Sequence, residues 1–487
     1  MESKKHIRRL AVETAVYGLS GVISQLVNVF LFPLFAKTLS LSQYGMMTML
    51  TSFTGLVGTF VILGLDSASA RFFFDSEDRF HRRQIIGSWF WCQTCFGFAL
   101  AIAIAFGSRP LAHMLLGSQQ WFPLVLLVDA VVLTRSVAKV FGNWLRYQRR
   151  PWIAIGYSLL STFLLIGLSL VFVLFGRMGL YGVYWAQLIA GMAVGLVAVF
   201  FLKDWISLHF FSSERLKAML VYGLPLIPAA LASWVTASAN RFFLRHYCDF
   251  NEIGLYGAAV TVASAVTLAT GAFQMAWGPF AFSILNKKES KLVYSRVLTM
   301  YIFWGVWLAT GLSLFSPPLL KWLAAPQYSS ASTCVPYIAF GYLAIGATFI
   351  AALGSTVVKK STPVAVSIFI GAGINTVLNF ILIPPFGKEG AAIATLAAYA
   401  TAVVFLFARS QKLFPIPYRF KETTVCLCLA VVVIALDRFL LYGKGAVIQK
   451  IGLSLVFLPL GFYLKIITVE KIKNGYKDLA RRLRGNR

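Results

Sequence analysis

The residues whose types could do chemistry are charges placed where charge is costly. Within an apolar run at about 121 to 143, Asp129, Arg135 and Lys139 follow one another, and Arg146 stands just beyond it. Positions 135, 139 and 146 return to nearly the same angle on an ideal helix, so they form a ladder of positive charge along one face. Asp129 points about 120° away from Arg135 on that helix and is poorly placed to neutralise it. Cations four residues apart repel, so an anion from elsewhere, a carboxylate or a ligand, is needed to settle them. The competing reading is that Lys139 and Arg146 snorkel to the membrane interface, which their apolar stems permit.

Two further groups carry charge. Gly64-Leu65-Asp66-Ser67-Ala68-Ser69-Ala70-Arg71 closes the second apolar run, and its carboxylate and guanidinium read equally well as a helix-end ion pair or as ligand groups. Asn240, Arg241 and Arg245 close the seventh run, with Lys37 in the matching place after the first; these are interfacial anchors or an outer cationic gate. Arg135, Lys139, Arg71, Arg146, Arg241 and Arg245 are thus the candidate anion-binding residues, and Asp66 and Asp129 the candidates for coupling to H+ or Na+. No cofactor or metal is expected, because no phosphate-cradling glycine loop or metal-ligand cluster appears. Cys92 with Cys95, and Cys426 with Cys428, lack His or acidic partners and read as packing residues.

Stepping outward to the elements, 59% of the 487 residues are hydrophobic and only 13% charged, and the mean hydropathy is +0.76. Soluble domains carry about twice that charge, so no soluble domain is expected. Apolar runs recur at about 11 to 36, 45 to 65, 85 to 106, 121 to 143, 152 to 175, 180 to 202 and 218 to 240. They continue at about 253 to 282, 297 to 320, 333 to 358, 363 to 384, 389 to 408, 423 to 441 and 447 to 467, giving an all-α polytopic membrane protein of about fourteen spans. The first run, preceded by Lys4, Lys5, Arg8 and Arg9, is too long for a signal peptide and lacks a cleavage site, so it is read as a retained helix.

The net charge of +27 looks like a nucleic-acid signature, but its placement argues for topology. Roughly 32 of the 44 Lys and Arg fall on one side if the N-terminus is cytoplasmic, as the positive-inside rule requires of a bacterial inner-membrane protein. The tail from Lys465 joins that side, so both termini are expected in the cytoplasm, and nucleic acid is not an expected partner.

The chain also resembles itself. Val16-Tyr17-Gly18-Leu19 recurs as Val221-Tyr222-Gly223-Leu224, Gln43-Tyr44-Gly45 is echoed by Leu255-Tyr256-Gly257, and Phe175-Gly176-Arg177-Met178-Gly179 by Phe386-Gly387-Lys388-Glu389-Gly390. The offsets of about 205 to 212 residues imply two parallel copies of about six helices, the arrangement of transporters whose two bundles rock about a central cavity. The expected division is an N-terminal lobe at 1–203, a second lobe at 204–421, two additional helices at 422–467 and a basic tail at 468–487. The positions equivalent to Asp129, Arg135 and Lys139 are Gly341, Ala347 and Ala351, so the scaffold is copied and the charge is not.

Phe35-Ala36-Lys37-Thr38-Leu39-Ser40 followed by Gln43-Tyr44-Gly45, Gly64-Leu65 with Ala68 and Arg71-Phe72-Phe73, and Asn240-Arg241 before Gly254-Leu255-Tyr256 together resemble the polysaccharide-transporter branch of the multidrug/oligosaccharidyl-lipid/polysaccharide exporter superfamily. That branch includes the O-antigen and capsule repeat-unit flippases. The resemblance implies a flippase carrying an undecaprenyl-diphosphate-linked oligosaccharide between leaflets, with membrane lipids, a polysaccharide polymerase and glycosyltransferases as partners. Members often carry an acid before the arginine that closes the seventh helix; this chain has Asn240 there. A multidrug antiporter or peptidoglycan-precursor flippase on the same fold is the nearest alternative, and a membrane glycosyltransferase or polymerase a more distant one. Trp89, Trp91, Trp144, Trp185 and Trp234 are candidates for stacking on sugars or for interfacial belts.

Overall fold

The computed structural model describes residues 27, 29–439, 447–464 and 466, and among these it contains helices and no strand. Lipid offers the backbone no hydrogen bonds, so apolar runs of this length close their bonds within each helix. The order is α1 (Val29–Thr38), α2 (Leu41–Ile62), α3 (Leu65–Phe73), α4 (Arg79–Phe106), α5 (Ser108–Leu116), α6 (Phe122–Tyr147), α7 (Pro151–Ser169) and α8 (Gly179–Leu202). Next come α9 (Ser213–Gly223), α10 (Ile227–Ser238), α11 (Asn240–Tyr247), α12 (Phe250–Ala263), α13 (Ala265–Ser283), α14 (Ser290–Leu323) and α15 (Val335–Ala351). Finally α16 (Leu353–Val357), α17 (Thr362–Leu413), α18 (Phe420–Phe439), α19 (Val447–Leu455) and α20 (Phe457–Tyr463) complete the described chain. Most of the first apolar run, the first copy of the Val-Tyr-Gly-Leu motif and the basic tail lie outside the described residues.

Polar residues mark several starts. Ser40 and Gln43 form a reciprocal capping box at α2, and Asp249 caps α12 through the Glu252 N–H. Asp78, in the loop before α4, accepts the N–H groups of Phe80 and His81, which hold its carboxyl below the usual carboxylate range.

By length and composition, eight helices among the described residues can cross a membrane, or nine when α12 and α13, bent by 41°, count as one. The expected count of about fourteen is not reached by that measure. The α6 helix holds Asp129, Arg135 and Lys139, which lower its apolar character. The α17 helix of 52 residues is two helices broken at Gly387, with φ 52° and ψ −129°. Pro384 and Pro385 precede that break, Pro225 lies within the short 3₁₀ turn between α9 and α10, and Pro228 is the second residue of α10.

The repeated motifs turn out to be contact surfaces. Tyr44-Gly45 on α2 and Tyr256-Gly257 on α12 lie on helices that pack directly together, and the Tyr44 and Thr261 hydroxyls are 3.3 Å apart. A Cβ at Gly45 would run into the Phe250 carbonyl, and one at Gly254 would lie against the Leu41 carbonyl and 3.3 Å from the Gly45 nitrogen. Backbones meet here because apolar side chains gain nothing from leaving lipid, and small residues let van der Waals packing do the work.

At the other end of α2, about 33 Å away for 22 residues, the helix breaks. Leu63 and Gly64 both take left-handed conformations, φ 52° and 68°, before α3 starts. A Cβ at Gly64 would strike the Gly223 carbonyl, and one at Gly223 would lie 2.9 Å from the Leu63 carbonyl. The α2–α3 unit therefore touches elements of the second repeat at both ends, and at mid-height Trp234 of α10 donates to the Ser52 carbonyl at 3.1 Å.

One buried core runs through both repeats. A smaller one at the Gly64 end joins Leu65, Phe73, Trp89, Phe141, Trp144 and Trp205 with Met219 of α9. The α19 helix is tied in by Lys450, whose ammonium donates to the Leu314 carbonyl at 2.8 Å and lies 3.4 Å from Asp437 of α18.

Candidate functional site

The α6 stripe is built as the helical spacing predicts, and its environment is asymmetric. The faces of α6 bearing Val128, Val132, Ser136 and Val140 are buried, while Arg135, Lys139 and Arg146 stay exposed. Their counterparts in the second repeat, Ala347 and Ala351, are 3% and 2% exposed. Under the pairing read from the sequence, buried alanines on α15 correspond to exposed cations on α6.

Arg135 and Lys139 each have a partner off their own helix. Arg135 donates to the Gln187 side-chain carbonyl of α8 at 2.8 Å. That neutral acceptor takes one of five guanidinium N–H groups and leaves the positive charge uncompensated. Lys139 lies 3.4 Å from Asp66 of α3, with the two side chains 45% and 29% exposed. Asp66 also accepts the Ser67 N–H at 2.8 Å, and its backbone carbonyl accepts the Tyr147 hydroxyl at 3.2 Å. Lys139 thus reaches across to a carboxylate on another helix.

Arg71 does not join this group. It forms an exposed ion pair with Asp75, two residues past the end of α3, and the five-residue step from Asp66 to Arg71 turns it well away from Asp66 on the helix. Arg146 remains exposed at the end of α6. Asp129 is 6% exposed and faces the packed side of α6, separated in angle from the stripe.

Arg241 and Arg245 make a second, separate cluster beside the Gly45 end. The Arg241 guanidinium sits 5.5 Å from the centre of the Tyr256 ring, donates to the Ala237 carbonyl at 3.3 Å and is 9% exposed. Arg245 lies 4.8 Å from the centre of the Phe250 ring and against Gly117 of the first repeat. Arg245 thus bridges α11 to the turn after α5, and Arg241 lies against the Tyr256 ring.

Sequence reasoning missed what surrounds Asn240. Its amide donates to the Tyr256 and Thr395 hydroxyls, both at 2.7 Å, and accepts from Asn379 at 2.7 Å, which also donates to Asn375 at 3.0 Å. Asn240, Asn375 and Asn379 are fully buried. Two asparagines one turn apart in an apolar run were the available signal. Among the described residues no group of His, Cys, Asp or Glu is placed to hold a metal ion. The tryptophans divide: Trp89 is buried and donates to Gln93 at 2.7 Å, Trp144 is buried beside Phe141, and Trp185 is 41% exposed.

An all-helical membrane bundle of this design has solved counterparts, and they define its class. The structure is similar to a lipid II flippase MurJ in an inward closed conformation, with a TM-score of 0.72 at 16% identity over 93% of this chain and 100% of that one. It is also similar to an inward-facing multidrug resistance MATE family transporter of the MOP superfamily, with a TM-score of 0.63 at 14% identity over 83% and 96%. The fold is thus that of the MurJ and MATE transporters, a multi-pass membrane architecture. Residues 10–285 match the family described as polysaccharide biosynthesis protein, and the chain belongs to that family. An uncharacterized membrane protein of Methanocaldococcus jannaschii, MJ1068, is 22% identical over 445 residues, spanning 82% of this chain and 83% of the relative.

Proposed function

We propose that this protein is a flippase that moves an undecaprenyl-diphosphate-linked oligosaccharide from the cytoplasmic to the periplasmic leaflet by alternating access, for surface polysaccharide synthesis. The observation that carries the reading is the exposed Arg135–Lys139 stripe on α6, whose repeat-equivalents are buried alanines. Packing alone would not keep cations on one copy of a duplicated helix and remove them from the other. A diphosphate gives such cations a ligand.

In this reading the Gly64 end faces the cytoplasm, both termini are cytoplasmic, and the lobes are 1–203 and 204–421 with two further helices at 422–467. A diphosphate and its sugars cannot cross bare hydrocarbon at tolerable cost, while a polyprenyl tail gains roughly 0.8 kcal/mol per methylene by staying in it. Arg135 and Lys139 hold the head group, Arg146 lies at the entry, and Arg241 and Arg245 act at the outer junction. The polymerase and glycosyltransferases of the pathway consume and supply the cargo.

Export of two negative charges is favoured by an inside-negative potential by roughly 4 to 5 kcal/mol at about 100 mV. The membrane potential therefore drives transport, with H+ or Na+ exchange through Asp129 as the second route. The test is transport of a fluorescent repeat-unit lipid diphosphate in proteoliposomes with an imposed potential and with ion gradients. Movement that accelerates with the potential supports the reading. Movement unchanged with potential and gradients both collapsed overturns both routes, and selective movement of a peptidoglycan-precursor lipid would reassign the cargo.

A further inference from the structure

Asp66 has a position that its pairing with Lys139 alone does not explain. It is the second residue of α3, two residues after Gly64 of the left-handed pair Leu63 and Gly64. Gly64 is the residue whose backbone meets Gly223 of the second repeat. One carboxylate therefore links the cation stripe on α6 to the joint that closes the Gly64 end.

The link is made to be exchanged. Its 3.4 Å separation is longer than the roughly 2.8 Å of a close charge-assisted bond, and both side chains are partly exposed. Asp66 divides its charge between Lys139 and the Ser67 N–H. Of the two cations one turn apart on α6, Asp66 pairs with Lys139, while Arg135 is held by the neutral Gln187 amide. A diphosphate brings more charge and more acceptor oxygens, and it can span both cations where Asp66 reaches one.

We infer that Asp66 is an internal counter-anion, which holds Lys139 until a diphosphate displaces it, and that its release loosens the α3 joint and opens the Gly64–Gly223 contact. This rests on the anion-binding part of the proposed function, and it gives Asp66 a positioning role in place of ion coupling. Cargo binding and gate opening then become one event. A second tie on α3, the Tyr147 hydroxyl on the Asp66 carbonyl, keeps the turn folded while the carboxylate moves.

The test uses the full chain, its native cysteines replaced, with spin labels at Ala70→Cys on α3 and Val221→Cys on α9, both exposed positions. Inorganic pyrophosphate is the probe, read by interspin distance and by calorimetric affinity. In the parent, pyrophosphate lengthens the distance. In Asp66→Asn the distance is already long without pyrophosphate, and affinity rises about tenfold because the competing charge is gone. Lys139→Ala also starts long, since nothing retains Asp66, and this variant decides the matter where Asp66→Asn fails to fold. A short distance in both variants, or unchanged or weaker pyrophosphate binding in Asp66→Asn, overturns the inference. A parent that opens with pyrophosphate yet moves no lipid-linked oligosaccharide leaves the latch standing and removes the assigned cargo.

Discussion

The Lys139 ammonium lies 3.4 Å from the Asp66 carboxylate, a bond between the cation-bearing α6 and the first turn after the break in α2. It joins the residues proposed to meet the cargo to the backbone joint between the repeats. Transport by this molecule is accordingly expected to depend on charge, on geometry at that charge and on the closeness of a few glycines.

Arg135 is expected to be irreplaceable by lysine. Its planar guanidinium can donate to Gln187 and still present parallel N–H groups to a phosphate, which a lysine ammonium cannot do in the same plane. Arg135→Lys should lower the initial rate of lipid-diphosphate movement roughly tenfold, a loss of about 1.4 kcal/mol, while Gln187→Ala has a smaller effect. Rates in proteoliposomes at matched protein content measure both.

Closure at the Gly45 end needs bare backbone. Gly45→Val should stop transport and leave the chain in the membrane, because its side chain meets the Phe250 carbonyl and holds α2 away from α12. The overpacking costs about 1 to 3 kcal/mol. A disulfide engineered between Thr48→Cys and Gly257→Cys, where a Cβ on Gly257 would lie 3.2 Å from the Thr48 Cβ, should form readily in the parent background and poorly beside Gly45→Val.

The buried amide cluster is expected to govern stability. Asn240→Ala leaves Tyr256, Thr395 and Asn379 each short of a partner in a site with no exposure. A loss of about 2 to 3 kcal/mol follows, read as a lower melting temperature in detergent. Asn240→Asp still accepts from the Asn379 amide but loses the two N–H donors to Tyr256 and Thr395, whose hydroxyls must turn to donate instead, so it should fall between the parent and Asn240→Ala.

The last helices should be held by charge in a way that can be replaced. Asp437→Ala removes the carboxylate 3.4 Å from Lys450, whose side chain is 2% exposed, and should destabilise the protein by about 3 kcal/mol. Asp437→Leu with Lys450→Met should recover most of that loss in the same melting experiment.

Much of this was legible in the sequence, and for identifiable reasons. Helical periodicity alone put Arg135 and Lys139 on one face, and self-comparison found Tyr44-Gly45 and Tyr256-Gly257 before their contact could be seen. The need for an anion beside Lys139 was also evident, since like charges at that spacing demand one. Its identity was not: Asp66 lies more than seventy residues earlier, and only tertiary packing brings it there. Arg71 looked equivalent to Asp66 as a site residue until its pairing with Asp75 turned it aside. The Asn240 cluster escaped because neutral amides in apolar runs carry no charge to announce them.

The most direct test of the account is transport of a fluorescent undecaprenyl-diphosphate oligosaccharide in proteoliposomes by the parent, Arg135→Ala and Lys139→Ala at matched amount and fold. The account predicts movement by the parent and a loss of tenfold or more, about 1.4 kcal/mol or greater, in each variant. Equal movement by all of them would contradict it, by showing that the cargo crosses without touching the α6 stripe.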